Sequence, residues 1–217
     1  MSPDQTVCWH CGGPVGAVLV CPTCGAIHPH PESLDYFAVL ELPRRLQLNE
    51  SELPDRFHRL SRRVHPDFYQ TKSSREQALS LAASARLNQA YRTLRDPIER
   101  LAYLIRLETG QKEIAAKAPN ELLEEIFDLQ ELLEEYRGRK ESGAAERLRD
   151  AQAKLRTRLA RLDAELAQLA AEWDRTTQPS VIAALQDRLA GRQYLMNTIE
   201  DITLTLEGRE HAKDRRH

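Results

Sequence analysis

The chain has 217 residues, 41% hydrophobic and 29% charged, so it can bury a core and is too apolar to be disordered throughout. Its 31 basic and 33 acidic residues leave a net charge of −2, which argues against a general binder of nucleic acid or acidic membrane. No apolar run approaches the roughly 18 residues that cross a bilayer. Residues 1–34 contain no Lys or Arg, which disfavours a secretory or mitochondrial presequence. We therefore expect a cytoplasmic protein that binds neither membrane nor nucleic acid.

All the cysteines lie near the start of the chain, in two Cys-x2-Cys pairs formed by Cys8, Cys11, Cys21 and Cys24. Two residues between thiolates let both sulfurs face one site, and two such pairs complete a tetrahedral shell. So short a segment buries too little apolar surface to fold alone, and the spacing predicts structural zinc. Disulfides are disfavoured in a cytosolic chain, whereas iron stays open as the alternative metal. Four thiolates leave no open position for metal catalysis, and we find no enzyme constellation.

Helix-forming residues dominate from Leu34 onward. The pattern predicts a brief helix over 36–40, a second over 51–64 with Ser51 as N-cap, and a third over about 75–95. Asp96 and Pro97 then form a restart signal for a helix that ends at Gly110. The second helix should bury Leu53, Phe57, Leu60 and Val64, and the third should make its apolar contacts through Leu81, Leu87, Ala90, Tyr91 and Leu94.

Three further apolar stripes follow. The first is Leu122, Ile126, Leu129, Leu133 and Tyr136, closed by Gly138; the second runs at heptad spacing from Leu148 to Trp173; the third is Ile182, Leu185, Leu189, Met196, Ile199 and Leu206. Stripes separated by short breaks predict a three-helix bundle. An extended intermolecular coiled coil is the competing interpretation.

A His65-Pro66-Asp67 tripeptide lies in a polar loop between the second and third predicted helices. Pro66 disfavours helical geometry at the residue before it, so the loop should open at His65. The preceding helix carries Arg56, Arg59, Arg62 and Arg63, with no acidic residue from 56 to 64. By itself the tripeptide is a weak motif, since a helix-ending histidine, a loop-capping aspartate and solvated arginines would look the same.

Together with Asp35-Tyr36-Phe37 and the stretch 87–97, these features resemble a J-domain over about residues 34–107. The 87–97 stretch and Leu42-Pro43 followed by Gln47-Leu48 are similar to the HscB-type co-chaperones of iron–sulfur cluster assembly. The cysteine motif, which begins Cys8-Trp9-His10, resembles an extension found on some of these proteins. The resemblance implies an all-α fold: a J-domain helical hairpin and a C-terminal three-helix bundle, preceded by a small zinc-stapled segment. We expect domains over 1–31, 32–110 and 111–217.

The resemblance also implies a function without enzymatic activity. The chain would bind an IscU-type iron–sulfur scaffold protein, deliver it to a DnaK-type chaperone and stimulate the ATPase of that chaperone, assisting maturation of iron–sulfur proteins. His65, Pro66 and Asp67 would make the strict contacts with an acidic chaperone surface. The residues expected to steer that encounter are Arg56, Arg59, Arg62 and Arg63.

The client face is expected on the first helix of the bundle. Leu123 and Phe127 fall about 100–140° from the predicted core seam at 100° per residue, which leaves apolar side chains outside it. By the resemblance, the scaffold contacts fall on Leu123, Phe127, Asp128 and Glu131, with Tyr194 contributing from the last helix. A wider core that buries Leu123 and Phe127 is the alternative.

Two other functions stay open. A zinc-ribbon nucleic-acid binder with a helical dimerisation tail would need basic residues near the cysteine pairs, where residues 1–34 offer none. A J-domain co-chaperone or helical adaptor for a different client would share the tripeptide and the helices, so it differs only in what the bundle binds.

Overall fold

The computed structural model describes residues 6–49, 51–111, 113, 123–139 and 142–209. Its internal contacts divide the chain into two compact units, Met1–Leu104 and Ile105–His217. Helices make up most of both units, and the all-α class expected from the sequence is confirmed. In the described part of the chain, no helix is both long enough and apolar enough to cross a bilayer.

The cysteine-containing segment begins the first unit. Strands β1 (Thr6–Val7) and β2 (Pro14–Val15) pair antiparallel, and an isolated bridge joins Val20 to Ile27. A one-turn 3-10 helix over Pro31–Ser33 leads out of the segment. The side chains that it buries outside the cysteines include Leu19, Val20 and Ile27.

Four α-helices come next along the chain: α1 (Tyr36–Val39), α2 (Glu52–Val64), α3 (Ser74–Arg95) and α4 (Pro97–Thr109). Side chains cap the starts of α1, α3 and α4. Ser73 and Glu76 form a reciprocal capping box at the start of α3, and Asp96 Oδ1 accepts hydrogen bonds from the N–H groups of Ile98 and Glu99. Such caps contribute about 1 kcal/mol each, and they fix where each helix begins.

Helices α2 and α3 form an antiparallel hairpin. Phe57 stacks on Tyr91 at a centroid distance of 4.3 Å, while the Ser80 and Ser84 hydroxyls both donate to the Val64 carbonyl, at 2.7 and 3.0 Å. Early residues of α2 thus meet late residues of α3. The two serines satisfy the carbonyl of the last residue of α2, which would otherwise lack a helical partner. The end of α2 is therefore tied to α3 by side-chain hydrogen bonds.

Two expectations for this unit are wrong. Leu81 is 65% exposed, because α3 buries Ser80, Ala83, Leu87, Ala90 and Leu94, and Leu81 lies on the opposite side of that stripe. Ser51 occupies the N-cap position of α2 but makes no capping hydrogen bond; its own N–H and hydroxyl donate to Asn49 Oδ1 instead.

The second unit is a bundle of three helices: α5 (Leu123–Arg139), α6 (Ser142–Thr176) and α7 (Pro179–Leu206). One apolar cluster joins all three within a single chain, which favours the bundle over an intermolecular coiled coil. Gln152 is the buried polar member of this interior, and its amide donates to Thr203 Oγ1 at 2.7 Å. The buried members of the cluster are Leu129, Leu132, Leu133, Ala144, Leu148, Leu155, Leu195 and Ile202.

The bundle differs from its expected pattern in three places. Met196 is exposed and Leu195 takes its place in the core, while Leu132 joins Leu133 in the interior. Helix α5 also continues past Gly138 to Arg139. Leu122 and the side chain of Ile126 lie outside the described residues.

Candidate functional site

The four cysteine sulfurs converge on one point. All four Sγ atoms lie within 4.8 Å of one another, with Cys8 and Cys24 at 3.6 Å and Cys11 and Cys21 at 4.0 Å. These distances far exceed the about 2.05 Å of a disulfide bond, and the thiols are free. Sulfurs about 2.3 Å from a single tetrahedral zinc lie roughly 3.8 Å apart, so the donor set fits a tetrahedral metal ion.

Two equivalent turns build this centre. In each, the N–H of the first cysteine donates to a carbonyl five residues on, and a glycine N–H donates back to the cysteine carbonyl: Cys8 N to Gly13 O and Gly12 N to Cys8 O, then Cys21 N to Ala26 O and Gly25 N to Cys21 O. Gly12 and Gly25 have φ of +70° and +78°, values that disfavour any side chain. The left-handed backbone therefore favours glycine at this position of both turns.

Backbone N–H groups in these turns favour the thiolate form that metals bind. The N–H groups of Cys24 and Thr23 lower the pKa of Cys21 to about 6, and those of Cys11 and His10 lower the pKa of Cys8. At Cys24 the N–H of Ala26 acts in the same direction, but burial and the neighbouring sulfurs outweigh it and raise the pKa to about 12. Four thiols this close cannot all ionise without a cation between them, which the donor set is suited to hold.

The His65-Pro66-Asp67 tripeptide lies at the tip of the α2–α3 hairpin and faces solvent. The side chains of His65 and Asp67 are 50% and 70% exposed, and Pro66 begins a 3-10 helix over Pro66–Tyr69. His65 Nδ1 accepts a hydrogen bond from the Asp67 N–H at 3.3 Å. In the neutral imidazole this leaves the Nε2–H as a donor. The tripeptide is thus open to another protein and held in one shape.

Contacts that sequence analysis did not anticipate fix this tip. Tyr69 donates its hydroxyl hydrogen to the Arg63 carbonyl at 3.1 Å, in addition to the two serine hydroxyls that bind Val64. The Tyr69 phenol is protonated at neutral pH as any ordinary tyrosine is, and burial raises its pKa further. A tyrosine four residues after the histidine was the only sequence signal for this contact.

The structure separates the four arginines that the sequence groups together. Arg56 is half-buried: its Nε and Nη2 donate to Glu52 Oε1 at 3.0 and 2.9 Å, and its Nη1 donates to the Glu41 carbonyl. Arg59 pairs with Glu41 Oε2 at 2.5 Å. Glu41 itself has a left-handed backbone, with φ of 56°, immediately after α1. Both arginines therefore tie α2 to the end of α1.

The other two arginines lie nearer the tip. Arg63 Nη2 donates to the Cys21 carbonyl at 3.4 Å, which links α2 to the cysteine segment. Arg62 is exposed, and within the described ranges it forms no ion pair. Within the described residues neither Arg62 nor Arg63 has an acidic partner, and of the two Arg63 is the one that a backbone carbonyl holds in place.

On α5, Phe127 is 76% exposed, so a wider core that buries it is excluded. Glu131 follows one turn later and is also exposed. Among the large apolar side chains of the described residues, Phe127 is the most exposed, and exposed acidic side chains lie next to it on α5. The side chain of Leu123 lies outside the described residues.

Two of the expected client-face residues line a groove of about 710 Å³ on the bundle, Asp128 from α5 and Tyr194 from α7. The floor includes Leu132 and Leu155, and Lys154 lies on the α6 wall. Phe127 and Glu131 are not among the residues that line this groove, although they adjoin Asp128 in sequence or by one helical turn. The structure thus brings together part of the expected face.

Known proteins resemble part of this chain in sequence. Residues 35–103 match the family model of the DnaJ domain. The chain is 36% identical over 104 residues to the iron-sulfur cluster co-chaperone protein HscB of Homo sapiens, covering 46% of this chain and 44% of that protein. It is 35% identical over 104 residues to the co-chaperone protein HscB homolog of Vibrio cholerae, covering 46% and 60%. The chain therefore matches about half the length of these relatives.

The likeness in three dimensions extends further. The crystal structure of human HscB covers 92% of this chain, and this chain covers 98% of that structure, with a TM-score of 0.57 at 25% identity. HscB from Vibrio cholerae matches with a TM-score of 0.50 at 24% identity, which shows the shared fold. The resemblance to HscB-type proteins with a J-domain, expected from the sequence, is confirmed.

Proposed function

We propose that this chain, which carries a DnaJ domain over residues 35–103 and resembles HscB in sequence and fold, is a J-domain co-chaperone of iron–sulfur cluster assembly. It would bind an IscU-type scaffold protein and deliver it to a DnaK-type chaperone. The observation that carries the proposal is the hydrogen-bonded, solvent-facing His65-Pro66-Asp67 tip within that domain. A cytoplasmic location stays a prediction from the sequence.

The tip is the proposed contact with the chaperone. His65 offers its Nε2–H, Asp67 offers a carboxylate, and Pro66 fixes the backbone between them. The serine and tyrosine hydroxyls that fix the end of α2 keep these groups in place before a partner arrives. A preformed contact of this kind loses little conformational entropy on binding.

The arginines of α2 are proposed to attract an acidic chaperone surface, with unequal contributions. Arg62 is exposed and unpaired within the described residues, so it should contribute most to the encounter rate and to its salt dependence. Arg59 is paired with Glu41, which neutralises part of its charge, so its attraction for an acidic partner should be weaker. Arg56 is proposed to act mainly by holding α2 against the end of α1, because its guanidinium is already engaged.

We propose zinc for the cysteine centre, because zinc prefers four sulfur ligands in tetrahedral structural sites. Iron would accept the same ligands and remains the alternative. The ion would stabilise the segment by closing both turns at once, and the role of Cys8, Cys11, Cys21 and Cys24 would be structural. Elemental analysis of the purified chain is expected to return one zinc per chain.

The bundle is the proposed client-binding unit. Phe127 would provide the apolar anchor, Asp128 and Glu131 the charged rim, and Tyr194 an aromatic contact from α7. Leu123 is proposed as a neighbouring contact on the basis of the resemblance. A J-domain co-chaperone for another client stays the alternative, because only the bundle face distinguishes the two.

The chain would hydrolyse nothing itself. By binding one conformational state of the chaperone better than the other, it would shift that protein toward the state that hydrolyses ATP. Steady-state ATPase of a DnaK-type chaperone, measured with an IscU-type scaffold present and absent, tests the proposal. We expect stimulation by the chain that becomes stronger when the scaffold is added. ATPase stimulation that does not change when the scaffold is added would favour another client. No stimulation of the ATPase would overturn the proposed function.

A further inference from the structure

The cysteine segment contacts the hairpin on both sides of its tip. Arg75, in the first turn of α3, lies over the ring of Trp9 with its Cζ 4.4 Å from the ring centroid. Trp9 is held in turn by its Nε1–H, which donates to the Ile27 carbonyl at 2.9 Å. On the other side, Arg63 donates to the Cys21 carbonyl. One contact thus precedes His65 and the other follows the loop.

Between these contacts lies a cleft of about 360 Å³. Trp9, Cys24 and Gly25 are part of one wall, and Phe68 and Lys72 are part of the other. Phe68 directly follows Asp67, and its side chain is 65% exposed. Within the described residues, few large apolar side chains are this exposed. The wall next to the tripeptide therefore offers an aromatic surface that no residue in the described part of the chain covers.

The charges around the cleft favour an acidic occupant. Two cations, Arg63 and Lys72, line the cleft against one carboxylate, Glu76, which the Ser73 N–H and hydroxyl hold at 3.1 and 2.6 Å, so the positive charges outnumber the negative one. An apolar surface with a positive rim fits a segment that presents an apolar side chain next to carboxylates. Because Phe68 shares one 3-10 helix with Pro66 and Asp67, a partner on the tripeptide reaches the cleft within one turn.

We propose that this cleft is a second contact for the DnaK-type chaperone, taking an acidic segment with an apolar side chain, and that the metal centre holds its outer wall. The inference rests on the proposed function and adds a partner surface to it. Cys24 is one of the proposed metal ligands, and Trp9 and Gly25 each adjoin a ligand in the chain, in a segment whose described strands have two residues each. Without a metal ion the wall would lose its shape.

Fluorine NMR of the full chain labelled with 5-fluorotryptophan gives a direct readout, because the sequence has two tryptophans, Trp9 and Trp173. Trp173 is buried in the bundle unit and acts as an internal control. We expect the ATP-bound chaperone to shift or broaden the Trp9 signal and to leave that of Trp173 in place. An unchanged Trp9 signal, under conditions where binding depends on His65, would overturn the inference and leave the proposed function intact.

Binding affinities complete the test. Lys72→Glu is expected to weaken chaperone binding about tenfold, as expected for a charge reversed within an interface. The matched control is Arg92→Glu, which reverses a positive charge on α3 about 25 Å from Arg75. It should alter the affinity for the chaperone less than about twofold. Zinc-free chain with unchanged helix content should bind about five- to tenfold more weakly than loaded chain. If the Lys72 variant and the zinc-free chain both bind the chaperone with wild-type affinity, the inference is overturned. If the wild type shows no chaperone binding that depends on His65, both proposals are overturned.

Discussion

Replacing His65 by glutamine is expected to remove nearly all stimulation of the chaperone ATPase while leaving the fold unchanged. Glutamine keeps a polar end but has no ring to accept the Asp67 N–H through one nitrogen and donate through the other. The half-exposed side chain contributes little to the core, so its replacement should change stability by less than about 0.5 kcal/mol. Steady-state ATPase with a titration of the variant measures the effect.

His58→Gln provides the matched control, because His58 is an exposed histidine on the same helix, nearly two turns before the tip. It should stimulate as well as the wild type. The His65 variant should also retain its affinity for the scaffold, since the bundle is untouched. Equal stimulation by the His65 variant and the wild type would remove the tip from the mechanism.

Truncating Phe127 to alanine is expected to weaken scaffold binding by about 30-fold, the effect of losing a roughly 2 kcal/mol anchor. Its side chain is 76% exposed in the free chain, so removing it leaves no cavity in the bundle. Thermal unfolding and helix content should therefore match the wild type. Isothermal titration with the scaffold measures the affinity.

Met196→Ala is the control for this substitution, because Met196 is also an exposed apolar residue of the bundle but is not one of the proposed scaffold contacts. It should bind the scaffold with wild-type affinity. If both variants bind equally well, the client contacts another surface of the chain.

Local chemistry explains why much of this structure could be predicted from sequence. Cysteine spacing alone indicates one four-sulfur centre, because two residues between thiolates place both on one turn. Pro97 after Asp96 marks a helix start with little ambiguity, since both residues act within one turn. The tripeptide is recognisable because Pro66 ends α2 by steric means.

What the sequence could not provide was the exact rotation of long helices and the contacts between distant segments. Periodicity selected Met196 rather than Leu195, because Met196 continues the spacing of Leu189 by one heptad, whereas the buried face of a long helix drifts by about 20° per heptad. Ser80 is a polar residue that sequence alone assigns to the surface, and its burial depends on the Val64 carbonyl, which accepts its hydroxyl hydrogen bond. The pairing of Trp9 with Arg75 joins residues far apart in the chain, and no local pattern encodes it.

The central claim, that one chain carries scaffold and chaperone contacts on separate surfaces and works by linking them, is tested most directly by mixing two defective variants. His65→Gln should still hold the scaffold, and Phe127→Ala should still engage the chaperone. At a concentration giving half-maximal scaffold-dependent ATPase with the wild type, the equimolar mixture should stimulate no more than Phe127→Ala alone. Restoration of wild-type stimulation by the mixture would contradict the claim, because it would mean that the two contacts need not belong to the same molecule.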